Sequence, residues 1–273
     1  MMSDEHEQLA ALVATVLDSA RYGQISRDLV ASVGQQSLRR HRSLQEAIKE
    51  TKRTLHQVAG AFATERPPYA MWLDELSHAA QHGAHDAEAP RRVCARVMRA
   101  HVSTRERLPM LERFYAQFFA GLPPVRSVLD VACGLNPLSI PWMGLPPGGA
   151  YYALDIYQDM ISFLDACLPL LGAAGWAQVA DVAHQPVEQS ADLALVLKAL
   201  PTLEQIRKGA GMDLLRGLRA PVMLVSFPAR SLGGRDKGMA RAHEQRFTAA
   251  AAAEGWALER FSFPTELVFR VRK

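Results

Sequence analysis

The sequence predicts a doubly wound, mostly parallel, Rossmann-like α/β sheet preceded by an all-α N-terminal domain. Apolar runs of strand length alternate with helical patterns from Ser127 onward, which indicates parallel strands joined by helices. The last two such runs follow each other directly, as in an antiparallel hairpin. The first hundred residues carry only helical periodicity. We therefore expect a helical domain over 1–102 and an α/β domain over 103–273.

Composition restricts the class of protein. The chain has 273 residues, of which 49% are hydrophobic and 22% charged, as in ordinary globular proteins. It has no apolar run of about 20 residues and no signal-peptide pattern at its start, so we expect a cytoplasmic protein without a membrane partner. The three cysteines, Cys94, Cys133 and Cys167, suit a reducing compartment and predict neither a disulfide framework nor a metal site. No large exposed apolar stripe is visible, which favours a monomer.

Positive charge is concentrated in the predicted helical region. From Arg21 to Arg66 there are nine Lys or Arg residues against four acidic ones. Such a distribution suggests a polyanionic partner, although solvated helix faces explain it equally well. The candidate residues for contacting a polyanion in this region are Arg39, Arg40, Arg42, Lys52 and Arg53.

The α/β half is expected to contain five parallel strands and a closing hairpin. The predicted strands are Ser127–Ala132, Ala150–Leu154, Ala177–Ala180, Asp192–Leu197 and Pro221–Phe227, and the hairpin is Trp256–Phe263 with Glu266–Val271. Helices are expected over Gln158–Leu171, over Leu203–Leu218, and up to Glu254. A helix starting after Ser103–Glu106, which has the pattern of a capping box, precedes the first strand.

The stretch Ser127–Leu138 predicts a cofactor loop. A buried strand carrying Asp130 ends in a tight turn at Cys133–Gly134, and Asn136 is placed to cap the helix that follows. The spacing Ala132, Gly134, Asn136 is not the GxGxxG pattern of dinucleotide-binding proteins, so a pyrophosphate ligand is disfavoured.

Acidic residues follow successive strands and indicate a nucleoside. Asp155, after the second strand, can accept the hydroxyls of a ribose, and Asp181, after the third, can accept the exocyclic amine of adenine. A cofactor with ribose and adenine but no phosphate is S-adenosylmethionine, whose carboxylate Arg107 is a candidate to bind. Each acid taken alone is also compatible with a turn or helix cap.

Three other features have two interpretations each. Lys198, after the fourth strand, is either an exposed strand-end residue or a substrate contact. Glu266 is either a surface residue or part of the site. The glycine-rich loop with Arg230, Arg235 and Lys237 is either solvated or a clamp for backbone phosphates.

Several motifs carry a family resemblance. They are Ser103–Pro109 (STRERLP), Leu129–Pro137 (LDVACGLNP), Ala153–Ile156 (ALDI), Leu197–Glu204 (LKALPTLE) and Ser226–Met239 (SFPARSLGGRDKGM). On these motifs the chain resembles the aminoglycoside-resistance 16S ribosomal RNA (guanine-N7) methyltransferases of actinomycete aminoglycoside producers. The resemblance implies a class I methyltransferase sheet and S-adenosylmethionine as cofactor, with S-adenosylhomocysteine as product. It also implies methylation of N7 of guanine 1405 in the assembled 30S subunit, and aminoglycoside resistance as the outcome.

The same resemblance implies roles for individual residues. Arg107 would hold the methionine carboxylate, while Lys198 and Glu266 would be catalytic residues near the target base. The remaining predicted cofactor contacts are Asp130, Ala132, Gly134, Asn136, Asp155, Ile156, Asp181 and Val182.

The chemistry agrees with the absence of an obvious His or Cys dyad in the sequence. Guanine N7 carries an unprotonated lone pair, so its methylation needs positioning rather than a general base. The base must leave its stack to reach a buried methyl group, so base flipping is expected.

Four alternatives stay open at this point. A nicotinamide oxidoreductase is disfavoured by the missing glycines. A methyltransferase acting on a protein or small molecule would not need the basic N-terminal half. A cofactor-free RNA-binding module would bind subunits without affinity for S-adenosylmethionine. An enzyme acting on the neighbouring A-site adenine would differ only in its target base.

Overall fold

The computed structural model describes residues 2–59, 67–81, 86–229 and 237–273. One seven-stranded sheet occupies its centre, and the strand order is β3-β2-β1-β4-β5-β7-β6. The strands are β1 Ser127–Val131, β2 Ala150–Asp155, β3 Ala174–Val179, β4 Leu193–Leu197, β5 Val222–Pro228, β6 Ala257–Ser262 and β7 Glu266–Arg272. The first five are parallel, and β7 runs antiparallel to both of its neighbours. This arrangement confirms the predicted fold class.

Helices cover both faces of the sheet. They are α1 Met2–Leu17, α2 Arg27–Arg40, α3 Leu44–Ala59, α4 Tyr69–Gln81, α5 Ala89–Met98, α6 Val102–Arg107, α7 Leu111–Phe119, α8 Gln158–Leu170, α9 Leu200–Ile206, α10 Ala210–Gly217 and α11 Lys237–Ala253. Two 3-10 helices, Leu108–Met110 and Asn136–Trp142, complete the described elements. All five residues of β4 are buried, as expected for a parallel strand covered on both faces. Among the described residues, no helix is both long and apolar enough to cross a membrane.

The N-terminal helices are divided between the two faces of the sheet. Residues of α1–α3, including Leu12 and Leu55, share one apolar core with Val131 of β1. Residues of α4 and α5, including Trp72, pack in a second core with Leu195 of β4. The helical region therefore packs on the sheet at two separate places, and the domain boundary at residue 102 stays a prediction.

The segment between α1 and α2 makes backbone contacts with the end of β2. The Ser26 N–H donates to the Ile156 carbonyl over 2.7 Å, and the Gln158 N–H donates to the Gln24 carbonyl over 2.8 Å. Ile25 and Tyr157 form an isolated antiparallel bridge. These contacts place the start of α2 beside the carboxyl end of β2.

Two expected elements differ in the structure. The single helix predicted over Leu203–Leu218 is wrong: α9 ends at Ile206 and α10 begins after Gly209, whose φ of 85° ends regular helical geometry. Strand β3 begins at Ala174, three residues before the expected start, because it pairs with β2 through its backbone while most of its side chains are exposed. The strand ends at Val179, so Asp181 lies two residues beyond it.

Candidate cofactor and target-base site

A pocket opens at the carboxyl ends of β1, β2 and β4, where ligands bind in doubly wound sheets. Seven residues predicted from the sequence line it: Ala132, Gly134, Asp155, Ile156, Asp181, Val182 and Lys198. Its walls also include Val58 of α3, His101 immediately before α6, Ser103 of α6, and Thr202 of α9. The structure thus brings together residues from the sheet, from an N-terminal helix and from α6.

Strained backbone marks two positions in the pocket wall. Ala132 has a φ of 54° and Lys198 a φ of 60°, and these are the non-glycine residues with positive φ in the described ranges. The Lys198 N–H donates to both the carbonyl oxygen and Oγ of Ser226, over 3.1 and 3.0 Å. Such conformations persist only where surrounding contacts hold them, and they cluster at functional sites.

Asp155 and Gly134 form the floor of the pocket. The Gly134 N–H donates to Asp155 Oδ2 over 2.8 Å, and the Ile156 N–H donates to Oδ1 over 2.7 Å. Burial raises the pKa of Asp155, and these backbone hydrogen bonds oppose that rise. Gly134 has a φ of 52°, and a Cβ there would lie 2.9 Å from His101 Cε1. A side chain at position 134 would therefore be crowded and strained. The Tyr157 N–H also donates to the Asp155 carboxylate, which leaves one of its four acceptor sites for a ligand hydroxyl.

Asp181 is held by a chain of side chains that sequence reasoning missed. Its Oδ2 lies 2.8 Å from His184 Nδ1, and its Oδ1 accepts the Ala183 N–H. His184 Nε2 lies 2.9 Å from the Gln36 side chain on α2. The partners are far apart in sequence, so no local pattern could have revealed this connection. It links the predicted adenine contact to the N-terminal helices.

Four predicted residues form a buried network behind the pocket instead of lining it. They are Arg107, Asp130, Asn136 and Glu266, each at most 2% exposed. Arg107 donates through Nε and Nη2 to the two carboxylate oxygens of Glu266, over 3.1 and 2.9 Å. Its Nη1 donates to Asn136 Oδ1 over 2.9 Å.

Asn136 is the centre of this network, so its predicted role as a helix cap is wrong. It lies inside the 3-10 helix, and its Nδ2 donates to Asp130 Oδ2 over 2.9 Å. Tyr115 Oη donates to Asn136 Oδ1, and Tyr151 Oη donates to Asp130 Oδ2. Buried polar partners therefore use the amide that a cap would need. Burial raises the pKa of Asp130 to about 7, against the lowering effect of its hydrogen bonds.

Lys198 joins this buried network to the pocket. Its Nζ lies 3.7 Å from Glu266 Oε2 and donates to Glu106 Oε2 over 2.6 Å. Glu266 is 0% exposed and also accepts a hydrogen bond from Ser226 Oγ. Burial opposes ionisation of Glu266, but the charges of Arg107 and Lys198 outweigh it and hold its pKa below the ordinary value.

The capping box predicted at Ser103–Glu106 is also wrong. Helix α6 begins at Val102 after His101, and no side chain caps it. Glu106 instead pairs with Lys198, because a nearby ammonium is a stronger partner than a backbone amide. The position of Glu106 beside Arg107 in the STRERLP motif is the sequence signal that could have identified it.

His101 contributes an uncharged imidazole to the pocket wall. Burial, reinforced by the charges of Arg107, Lys198 and Arg105, lowers its pKa to about 4. The ring packs against Gly134. A neutral ring at this place presents an apolar face to a ligand without adding charge.

The predicted RNA contacts fall in different surroundings. Arg39, Arg40 and Arg42 are exposed around the end of α2, whereas Lys52 is half-buried and Arg53 pairs with Glu50 over 2.6 Å. Arg230, Arg235 and the side chain of Lys237 lie outside the described residues. Over the described parts of the chain, no three His, Cys, Asp or Glu side chains are grouped so that they could hold a metal ion.

The sheet order with a reversed β7, together with a single-glycine loop and acidic residues at the end of β2 and after β3, defines an S-adenosylmethionine-dependent class I methyltransferase. A family model described as ribosomal RNA methyltransferase (FmrO) matches residues 18–270. The chain belongs to this family, and the resemblance drawn from its motifs is confirmed.

Similar proteins support this assignment over nearly the whole chain. A 16S rRNA (guanine(1405)-N(7))-methyltransferase of Frankia casuarinae is 43% identical over 262 residues, covering 95% of this chain and 92% of the relative. The protein of the same name from Micromonospora echinospora is 37% identical over 273 residues, covering 99% of each. The solved structure of the 16S rRNA methyltransferase RmtF in complex with S-adenosyl-L-homocysteine has a TM-score of 0.79 and 30% identity, covering 98% of both chains.

Proposed function

We propose that this chain transfers a methyl group from S-adenosylmethionine to N7 of guanine 1405 of 16S rRNA in the assembled 30S subunit, conferring aminoglycoside resistance. The observation that carries the proposal is 37–43% identity, over nearly full length, to proteins named for that reaction. It acts as a monomer in the cytoplasm, where its ribosomal substrate is found. In the described ranges the exposed large apolar side chains are Met71 and Val179. They lie on different elements and form no contiguous apolar patch, which supports a monomer.

The pocket residues fit the cofactor. Asp155 accepts a ribose hydroxyl through the acceptor site that the Gly134, Ile156 and Tyr157 amides leave free, and Asp181 accepts the adenine amine. Ile156 and Val182 add apolar surface to the pocket lining. Arg107 uses three of its five N–H donors on Glu266 and Asn136, which leaves two. Because Arg107 lies behind the pocket lining, these two donors bind the methionine carboxylate only where the tail of the cofactor extends into the buried network. When bound, S-adenosylmethionine supplies an electrophilic methyl group that the N7 lone pair attacks, leaving S-adenosylhomocysteine.

No proton leaves N7 in this reaction, so the protein needs no general base at that atom. Its contribution is to hold N7 in line with the methyl group and to exclude water. The neutral His101 and the apolar wall from α9 suit this purpose. Lys198, on strained backbone at the pocket, is the cationic donor that the flipped base meets.

We assign docking on the 30S subunit to the exposed arginines at the end of α2 and in the turn before α3, which are Arg39, Arg40 and Arg42. The Arg39→Ala/Arg40→Ala/Arg42→Ala variant should bind 30S subunits more weakly and with a shallower salt dependence, by about one unit of slope per lost phosphate contact. Arg113→Ala is the matched control, because it is exposed on α7, on the opposite face of the sheet. Unchanged affinity and slope in the triple variant would refute the assignment.

The function is tested by offering radiolabelled S-adenosylmethionine to intact 30S subunits and, separately, to naked 16S rRNA. We expect methyl incorporation into the subunits and little into the naked RNA. Incorporation into a protein or small molecule without incorporation into subunits would contradict the proposal.

A further inference from the structure

Lys198 lies between two carboxylates that differ in access to solvent. Glu266 is fully buried and is occupied by Arg107 and Ser226. The Glu106 side chain is 36% exposed and lies 2.6 Å from Lys198 Nζ. Of the two acidic partners of Lys198, Glu106 is therefore the one that a flipped base can reach from solvent, although the sequence pointed to Glu266.

Helix α6 places Glu106 at the rim of the pocket. Ser103, one turn earlier and on the same helix face, lines the pocket, and so does Lys198. Thr265 Oγ1 donates to the Glu106 carbonyl, which ties this end of the helix to the loop before β7. The rim thus presents an anionic acceptor and a cationic donor side by side.

Lys198 and Glu106 together offer a hydrogen-bond donor beside an acceptor, which complements the Watson–Crick edge of guanine. Guanine carries the acceptor O6 next to the donors N1–H and N2–H2, whereas adenine carries the donor N6–H2 next to the acceptor N1. We propose that Lys198 donates to O6 and Glu106 accepts from N1–H of the flipped guanine, so that Glu106 determines the choice of guanine over adenine. This inference rests on the proposed function and names Glu106 as its specificity-determining residue.

The same contact favours the chemical step. As N7 forms its bond to the methyl carbon and the carbon–sulfur bond breaks, positive charge develops on the purine ring and its N1–H becomes a stronger donor. A carboxylate accepting from N1–H stabilises that charge without removing the proton. The loss of Glu106 should therefore reduce kcat as well as weaken recognition.

The first test compares Glu106→Gln and Glu106→Ala with wild type in methylation of 30S subunits. We expect kcat/KM to fall by about 10- to 100-fold in Glu106→Gln, mostly in kcat, and further in Glu106→Ala. The affinity for S-adenosylmethionine, measured by calorimetry, should stay within about twofold, because the proposed contact is to the base. Glu112→Gln, an exposed glutamate on α7, is the control and should behave as wild type.

The second test measures the choice of base directly. The affinity of each enzyme for 30S subunits with guanine or adenine at 1405 is measured in the presence of S-adenosylhomocysteine. Wild type should prefer guanine by about 10-fold or more, and Glu106→Gln should lose most of that preference, because an amide can rotate to serve either base.

The outcomes separate the inference from the proposed function. Failure of wild type to methylate subunits would overturn the function itself. With an active wild type, normal kcat/KM in Glu106→Gln, an unchanged base preference, or a matching loss of cofactor affinity would each overturn the role assigned to Glu106.

Discussion

Replacing Arg107 with methionine should destabilise the fold through the charge it leaves behind. Arg107 is 1% exposed and donates two hydrogen bonds to Glu266, which is 0% exposed. Methionine keeps much of the apolar contact with Phe114, whose ring lies 5.0 Å from the guanidinium carbon, so the substitution removes mainly the charge. The variant therefore tests whether this buried ion pair holds the site together.

The expected loss of unfolding free energy depends on the partners that Glu266 keeps after Arg107 is replaced. Breaking a buried pair costs about 3–5 kcal/mol, because the remaining charge is uncompensated. Ser226 still donates to Glu266 and Lys198 stays 3.7 Å away, so the lower end, about 3 kcal/mol, is expected. For a chain of this size that corresponds to a fall in Tm of about 6–12 °C.

The destabilisation caused by Arg107→Met should depend on pH. In wild type the pKa of Glu266 is lowered, so its stabilising contribution is present above the unfolded-state pKa and is lost as pH falls. Without Arg107, burial dominates and raises that pKa, so the variant loses stability as pH rises. The difference in unfolding free energy between the two proteins should therefore be larger near about pH 7.5 than near about pH 4.5.

The assay is urea unfolding of both proteins at the two pH values. Arg105→Met, exposed on the same helix, is the control and should change stability by less than about 0.5 kcal/mol. A loss below about 1 kcal/mol for Arg107→Met, or a loss that does not depend on pH, would show that the Arg107–Glu266 pair does not hold the site together.

Three further predictions concern the pocket floor and the network. Asp155→Asn should weaken S-adenosylmethionine binding by about 10- to 100-fold in calorimetry, because one of two oxygens that accept the Gly134 and Ile156 amides becomes a donor; normal affinity would reject the assignment. Gly134→Ala should lower the free energy of unfolding by about 1–3 kcal/mol because the added Cβ meets the His101 ring, and adding His101→Ala should restore part of the loss. Equal Tm values for Gly134→Ala and wild type would argue against this contact between position 134 and His101. The raised pKa of Asp130 makes wild type lose stability as pH rises from about 4 to about 7, so Asp130→Asn should become more stable relative to wild type over that window. Parallel curves of unfolding free energy against pH for the two proteins would contradict this prediction.

The pocket could be predicted from the sequence because strand ends are local features. Apolar runs followed by Gly134, Asp155 and Lys198 mark where each strand stops, and parallel strands end at one edge of a sheet. Because strands and helices alternate along this part of the chain, the residues that follow those runs lie close together at that edge. The same logic located Asp181 despite the misplaced start of β3.

The network behind the pocket could not be predicted in this way. Arg107 and Glu266 are separated by 159 positions, and their pairing exists only because β7 inserts beside β5. Asn136 and Glu106 each matched a helix-capping pattern, but buried or charged partners compete more strongly for such side chains than a helix end does. The contact from Asp181 through His184 to Gln36 likewise depends on the packing of α2 against the sheet.

Chemical mapping of the product tests whether this chain methylates N7 of guanine 1405. Borohydride reduction and aniline treatment cleave RNA at N7-methylguanine, so primer extension on treated 16S rRNA reports the base and the atom together. After incubation of 30S subunits with the enzyme and S-adenosylmethionine, we expect one new cleavage, at guanine 1405, that is absent without enzyme. Methyl incorporation without that cleavage, or cleavage at another guanine, would show that N7 of guanine 1405 is not the methylated atom.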